Sequence, residues 1–187
     1  MTRRRPMAGV IGSGSDPCED LSRPLGRWLA EKGFDLVNGG GQGVMAEVAR
    51  AFSSVPGRKG LCVGILPSER PCDSPERRKH YRAPEGYPNR YIDIPIRTHL
   101  HLSGKSGKEI ASRNHIVVLT ADTVVALPGG EGTRSEIELA LEYGKPLVIL
   151  NVDGVWDEFR SASAIMARSV EEAFGKIESL LAGLKTG

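Results

Sequence analysis

The sequence predicts an α/β fold of the doubly wound class, with a central parallel sheet and helices on both of its faces. Short apolar runs alternate along the chain with segments whose apolar residues recur at helical spacing. Three of the apolar runs end in glycine-bearing turns. Such alternation is typical of right-handed βαβ units, whose strands are parallel. The three turns should therefore lie together at the carboxyl edge of the sheet, where such folds bind ligands.

The first part of the chain alternates regularly between predicted strands and helices. Gly33 closes the first helix, because glycine readily adopts the left-handed conformation found at helix ends. The predicted elements are a strand over 7–14, a helix with Leu21, Leu25, Trp28 and Leu29 on its apolar face, a strand over 34–37, a helix with Met45, Val48, Ala49 and Phe52 on its face, and a strand over 61–66.

Residues 68–90 interrupt this alternation. The segment contains four prolines and carries six basic residues against four acidic ones. Such a composition predicts a solvated, mobile surface loop. The alternative is a basic flap that lies near an anionic ligand.

The alternation then resumes. Residues 116–119 are read as the end of the helix that precedes them, because Ala-Asp at 121–122 breaks the apolar run. The predicted elements are a strand over 91–94, a helix over 104–113 that continues to 119, a strand over 123–127, a helix through 137–141, a strand over 147–151, and a helix with Val170, Ala173, Phe174, Ile177, Leu181 and Leu184 on its apolar face.

Length and composition predict one domain over the whole chain, 1–187. A net charge of +2, without a basic stripe, argues against a nucleic-acid partner. The basic start is followed by no apolar region of the length that a signal peptide or a membrane span needs, so we expect no membrane partner. Three cysteines without a C-x-x-C pair predict free thiols in a reducing cytoplasm. His99 and His101 lack a third ligand, so we expect no metal site.

The most informative segment is 128–136, Pro-Gly-Gly-Glu-Gly-Thr-Arg-Ser-Glu, which follows an apolar run and precedes a helix. Backbone N–H groups are unpaired at a helix start, and the helix dipole favours an anion there. Glu136 would then lie beside a bound anion as a catalytic acid or base. The alternative is a capping box, in which Thr133 is the N-cap and Glu136 only satisfies its amide. The residues predicted to bind a ligand phosphate are Gly12, Ser13, Gly40, Gly41, Gly43, Gly129, Gly130, Gly132 and Thr133.

The glycine turns match neither the G-x-G-x-x-G fingerprint of dinucleotide sites nor a P-loop. A mononucleotide or a similar small phosphorylated group is therefore the expected ligand, rather than a dinucleotide.

Gly-Gly-Gly-Gln-Gly-Val-Met at 39–45, Arg113-Asn114 and the 128–136 motif together resemble the Lonely Guy (LOG) family. The resemblance covers roughly residues 10–150. It implies a Rossmann-like fold and, for the enzymatic members, hydrolysis of nucleoside 5'-monophosphates as a phosphoribohydrolase. It further implies that Arg113 and Glu136 are the catalytic residues, that no cofactor is required, and that the protein is a homodimer or homotetramer. Relatives have been called lysine decarboxylases, but no lysine here is placed to bind pyridoxal phosphate.

The chain departs from the enzymatic members at two places. They carry Met-His-x-Arg-Lys where this chain has Ile-Ala-Ser-Arg-Asn at 110–114, and its first glycine motif is one residue shorter. Residues 113–118 and 63–67 resemble the molybdenum cofactor carrier branch, which binds a phosphorylated pterin. The alternative function is therefore that of a non-catalytic carrier with the molybdenum cofactor as its bound ligand.

The chemistry of N-glycosidic cleavage fits the two candidate catalytic residues. The reaction builds positive charge on the ribose carbon, which Glu136 could stabilise while it activates a water. Arg113 could bind the 5'-phosphate through its planar fork of donors. The alternative for Arg113 is a surface ion pair with Glu109, one helical turn earlier.

Overall fold

The computed structural model of the chain describes residues 4–152, 154–160 and 162–183. Its strands are β1 (Met7–Ile11), β2 (Asp35–Asn38), β3 (Cys62–Leu66), β4 (Ile94–Arg97), β5 (Thr123–Ala126), β6 (Leu147–Leu150) and β7 (Ile165–Ala167). Its helices are α1 (Glu19–Glu31), α2 (Val44–Ser53), α3 (Pro75–Lys79), α4 (Asn114–Thr120), α5 (Glu131–Glu142) and α6 (Val170–Gly183).

The seven strands form one parallel sheet in the order β4-β3-β2-β1-β5-β6-β7. The chain builds the sheet outward from β1 in one direction as far as β4, then returns to the other side of β1 with β5. In the register, Gly9 of β1 pairs with Val37 of β2 on one side and with Val124 of β5 on the other. The topological switch point of the sheet therefore lies between β1 and β5, where open α/β sheets bind ligands.

Helices cover both faces of the sheet, and the sheet separates the core into two apolar layers. The apolar faces of α1, α2 and α6 pack on one face, around fully buried residues such as Leu25, Phe52 and Ile177. The faces of α4 and α5 pack on the other, around Val117 and Ile137. The fold is the α/β Rossmann-like, doubly wound architecture that the alternating pattern predicts.

The helix predicted over 104–113 is wrong. That stretch contains a single 3₁₀ turn, Gly104–Ser106, followed by irregular turns, and the helix begins only at Asn114. Gly104 has a positive φ of 59°, and its carbonyl accepts a hydrogen bond from the Ser135 hydroxyl at 2.9 Å. The chain therefore turns at this glycine to lie against α5, and Arg113 becomes the residue before a helix rather than one inside it.

Two other elements differ from the prediction. The strand expected at 91–94 begins at Ile94 and continues to Arg97, because Asn89 holds the preceding residues in a turn through the Tyr91 amide. Residues 165–167, for which no strand was expected, form the edge strand β7 beside β6. Leu184 of the last predicted helix lies outside the described residues.

Residues 68–90 contain the short helix α3, whose first turn is capped by the Ser74 hydroxyl. Both ends of the segment are hydrogen bonded to the body of the fold, through Ser68 to Leu100 and through Asn89 to Gly40. Within the part of the chain that the structure describes, no helix is long and apolar enough to cross a membrane.

Candidate active site

A cavity of about 360 Å³ opens at the carboxyl edge of the sheet, beside the switch point between β1 and β5. Ser13 joins the three glycine turns there, since its amide donates to Pro128 and its carbonyl accepts from the Val44 amide. The sequence-predicted site residues that line the cavity are Gly12, Ser13, Arg113, Gly130, Gly132, Thr133 and Glu136. The fold thus brings together residues from the ends of β1 and β5 and from the starts of α4 and α5.

Four glycines that the sequence predicted to bind the ligand phosphate, Gly40, Gly41, Gly43 and Gly129, do not line this cavity. They lie where the backbone packs closely against its neighbours. Gly40 and Gly43 have positive φ values of 73° and 61° and lie against Leu66 and the Ser13 carbonyl, respectively. Gly41 lies against the Tyr87 ring. A Cβ at Gly129 would overlap the Thr133 hydroxyl.

The start of α5 does not form the capping box. The helix begins at Glu131, its N-cap residue is Gly130, and no side chain caps it. Thr133 and Glu136 are therefore residues of the helix itself, and the capping interpretation of Glu136 is wrong. Since the Arg134 amide makes the first hydrogen bond back to Gly130, the amides before it have no partner within the helix. This end of α5 supplies N–H groups and a positive dipole end at the cavity.

Arg113 and Glu136 form a buried ion pair at the cavity wall. Arg113 Nη1 donates to Glu136 Oε1 at 3.4 Å, and the two residues are only 6% and 8% exposed. Burial raises the pKa of Glu136 to about 7, an effect that the nearby Arg113 guanidinium opposes only in part. The alternative of a surface ion pair between Arg113 and Glu109 is wrong, because Arg113 is buried and turned toward α5.

The Arg113 side chain is held by its surroundings. Its Nη1 also donates to Asn114 Oδ1 at 2.9 Å. Its guanidinium lies so close to the Gly39 backbone that a Cβ there would overlap it. Its Nε is buried, with no hydrogen-bond partner among the described residues. A buried donor without a partner is costly, so this N–H group opposes the stability that the other contacts of the guanidinium provide.

Sequence reasoning missed several residues of this site. Asn114 orients the arginine, Gly39 makes room for it, and Tyr87 and Met45 line the cavity. Ser103 and Gly104 line it as well. Gly39, Met45 and Asn114 belong to sequence motifs that were already singled out, although no role in the site was predicted for them. Nothing in the local sequence pattern connects Tyr87 to this edge of the sheet.

The arginines of the 68–90 segment lie elsewhere. Arg70, Arg77 and Arg82 line a separate cavity of about 680 Å³, and Arg77 and Arg82 are paired with Asp73 and Glu69. Of this segment, only Tyr87 lines the candidate site.

The cavity therefore combines two chemical functions. The α5 end and Arg113 can hold an anion, and Glu136, with a pKa of about 7, can exchange a proton near neutral pH. A general acid–base group beside an anion site is what hydrolysis of a phosphorylated substrate requires.

Sequence comparison relates the chain to known proteins. A sequence profile of the SLOG cluster4 family matches residues 5–176. An uncharacterized protein of Archaeoglobus fulgidus is 34% identical over 146 residues, which cover 76% of this chain and 78% of that protein. The cytokinin riboside 5'-monophosphate phosphoribohydrolase LOG of Oryza sativa is 30% identical over 150 residues, which cover 76% of this chain. The match spans 52% of the rice enzyme.

Structure comparison finds proteins of a different description. The molybdenum cofactor binding protein of Rippkaea orientalis superposes with a TM-score of 0.70 at 29% identity, covering 96% of this chain and 99% of that one. The Moco carrier protein of Chlamydomonas reinhardtii gives a TM-score of 0.71 at 28% identity with the same coverage.

Proposed function

The chain belongs to the SLOG cluster4 family, and on that premise we propose that it is a phosphoribohydrolase that cleaves the N-glycosidic bond of a nucleoside 5'-monophosphate. The observation that carries the proposal is the buried Arg113–Glu136 pair beside the start of α5, with the pKa of Glu136 raised to about 7. A purely structural ion pair would not need to lie on a cavity wall next to unpaired helix amides.

In this proposal the substrate phosphate binds at the start of α5. Gly130, Gly132 and Thr133 line the cavity there, and the first amides of the helix donate to the phosphate oxygens. The Arg113 guanidinium, which also lines the cavity, adds its positive charge to this anion site. Binding at these points places the ribose next to Glu136.

The chemical step is the attack of water on ribose C1'. The Glu136 carboxylate takes a proton from the water as the new C–O bond forms, and it stabilises the positive charge that develops on the sugar. The C1'–N bond breaks, its electron pair passes to the base nitrogen, and that nitrogen is protonated from solvent. The products are ribose 5-phosphate and the free base. Because the carboxylate must be ionised to accept the proton, activity rises as pH increases through about 7.

The proposal is tested with a panel of nucleoside 5'-monophosphates and an assay for free base. Glu136→Gln keeps the size of the side chain but removes the base, and base release should fall by about a hundredfold or more. Arg113→Lys should also reduce it, because an ammonium cannot reproduce the planar fork on a phosphate. Glu138→Gln is the matched control, since Glu138 lies on the same helix and pairs at the surface with Lys108. Absence of base release from every nucleotide would refute the proposal.

The second candidate function is a carrier of the molybdenum cofactor. The carrier function is favoured by the share of each relative's length that matches this chain. The match covers 99% of each of the two cofactor-binding structures but 52% of the rice enzyme. The helix amides of α5 and the Arg113 guanidinium at the cavity wall suit a phosphorylated pterin as well as a nucleotide. Tight pterin binding without any base release would support the carrier.

We also propose that the protein is a homodimer or homotetramer. The proposal rests on the α4–α5 layer, which exposes apolar side chains, with Leu119 49% and Tyr143 41% exposed.

A further inference from the structure

Tyr87 lies at the end of the 68–90 segment and lines the candidate active site. It is the one aromatic side chain in that lining, within the part of the chain that the structure describes. Arg70, Arg77 and Arg82 of the same segment line a different cavity. The position of Tyr87 at the candidate site therefore needs a separate explanation.

Hydrogen bonds on both sides of Tyr87 attach it to the glycine turn that follows β2. The Asn89 amide donates to the Gly40 carbonyl, and Asn89 Nδ2 donates to the Gly41 carbonyl, both at 2.8 Å. On the other side, Gln42 Nε2 donates to the Gly86 carbonyl, also at 2.8 Å. Since Asn89 is only 5% exposed, its two bonds are protected from water, whereas the Gln42–Gly86 bond is exposed. Together they attach the backbone on both sides of Tyr87 to the glycine turn.

The Tyr87 ring packs directly on the Gly41 backbone. A Cβ at Gly41 would stand 2.7 Å from the ring Cζ and hydroxyl oxygen, and 2.8 Å from Cε1. Any side chain at this position would therefore push the ring away. Part of the Tyr87 ring therefore packs against Gly41, and Tyr87 also forms part of the cavity wall.

The two ends of the cavity differ in character because of the sheet order. The turn after β2, with Tyr87 and Met45 near it, lies on one side of β1, and the start of α5 lies on the other. Adjacent strands are about 4.8 Å apart, so the two turns are separated by roughly 10 Å, which a ribose can bridge. An anion at α5 would leave the rest of the ligand to extend toward Tyr87.

We infer that Tyr87 is the stacking platform that selects a flat heteroaromatic ring on the ligand, such as a purine or a pterin. Every base presents a π-face, and an aromatic side chain held from behind loses little freedom when it stacks. The inference rests on the proposed function for the location of the site. The inference adds the residue that recognises the ring of the ligand. It applies both to an enzyme that releases the base and to a carrier that only binds a pterin.

The test compares ligands with and without a ring. Adenosine 5'-monophosphate and ribose 5-phosphate are titrated by calorimetry into the Glu136→Gln protein, which does not consume the nucleotide under the proposed mechanism, and into the same protein with Tyr87→Leu or Tyr87→Phe added. Loss of stacking on one base changes affinity by roughly fivefold to a hundredfold. Tyr87→Leu should therefore weaken binding of the nucleotide by about tenfold or more and leave ribose 5-phosphate within about twofold. Tyr87→Phe should restore nucleotide binding.

Tyr81→Leu is the matched control, because Tyr81 belongs to the same segment but lines the other cavity, and it should change neither affinity. Equal weakening of both ligands by Tyr87→Leu would reduce Tyr87 to a structural role and overturn the inference, as would no weakening of either. If the wild-type protein binds neopterin monophosphate instead of the nucleotide, the same comparison is made with that pterin. Failure to bind either ring compound overturns the inference, whereas nucleotide binding without base release overturns only the proposed hydrolysis.

Discussion

Glu136 links the stability of the protein to pH. Its pKa in the folded chain is raised to about 7 by burial, against an ordinary value of 4.5. The folded state therefore binds the proton more tightly than the unfolded state does. The stability that comes from this difference is fully present below about pH 4.5, falls as pH rises, and is lost above about pH 7.

We predict that the wild-type protein loses roughly 2–3 kcal/mol of unfolding free energy, relative to Glu136→Gln, between pH 4.5 and pH 8. The measurement is chemical denaturation of both proteins across that range. Groups such as Glu47, whose pKa is lowered to about 2, chiefly by a hydrogen bond from Arg50, titrate in both proteins and cancel in the difference. A difference that does not vary with pH would show that Glu136 has an ordinary pKa.

Gly39 is predicted to be essential for the position of Arg113. In Gly39→Ala the new methyl group would overlap the guanidinium, so the arginine must move away from Glu136 and the cavity. A displacement of about 1 Å at a reacting group can reduce the rate by about a hundredfold. We expect a loss of base release of that size, measured against Gly175→Ala, whose added methyl group meets nothing within 4 Å. Activity at the wild-type level would mean that the arginine position does not matter.

Helices α1 and α2 approach each other closely at Gly26. A Cβ there would stand 2.5 Å from the Val48 carbonyl and 3.0 Å from the Ala51 side chain. Gly26→Ala should therefore destabilise the fold by about 1–3 kcal/mol through overpacking. Gly175→Ala, on the exposed side of α6, should instead stabilise it by up to about 1 kcal/mol, because alanine is the better helix former. Thermal melting distinguishes the two variants, and equal shifts would contradict the close α1–α2 contact.

The start of α5 is predicted to bind an anion at 129–133. Its first amides have no partner within the helix, and no side chain caps them. Crystals soaked in phosphate or sulfate should show the anion held by these N–H groups. Anions found only at other places on the surface would contradict this assignment.

At the scale of the whole molecule we predict self-association. Leu119 and Tyr143 leave apolar surface on the α4–α5 layer, which a second copy can cover. Sedimentation at micromolar concentration should give a species of two or four subunits, and Leu119→Glu should shift it toward the monomer. A monomeric wild-type protein under these conditions would contradict the prediction of self-association.

Local sequence patterns were sufficient for most of the fold. The apolar periodicity of β1–α1–β2–α2–β3 arises from residues that are close together in the sequence. These elements could therefore be recognised without knowing which elements pack against them. Besides the displaced strand β4 and the unexpected edge strand β7, the main exception was 104–113, where helix-like composition was outweighed by the turn at Gly104 and its contact with Ser135. Propensity is a weak guide wherever a tertiary hydrogen bond decides the backbone conformation.

The sequence by itself determined the parallel α/β architecture, the glycine turns at its carboxyl edge, and the choice of Arg113 and Glu136 as the pair to examine. Only the tertiary structure decided that these two residues meet at 3.4 Å, that burial raises the Glu136 pKa, and that Tyr87 reaches the same cavity. The physical reason is distance along the chain. Periodicity and turn chemistry act between neighbouring residues, whereas desolvation and long-range pairing depend on where the chain returns, which no local pattern records.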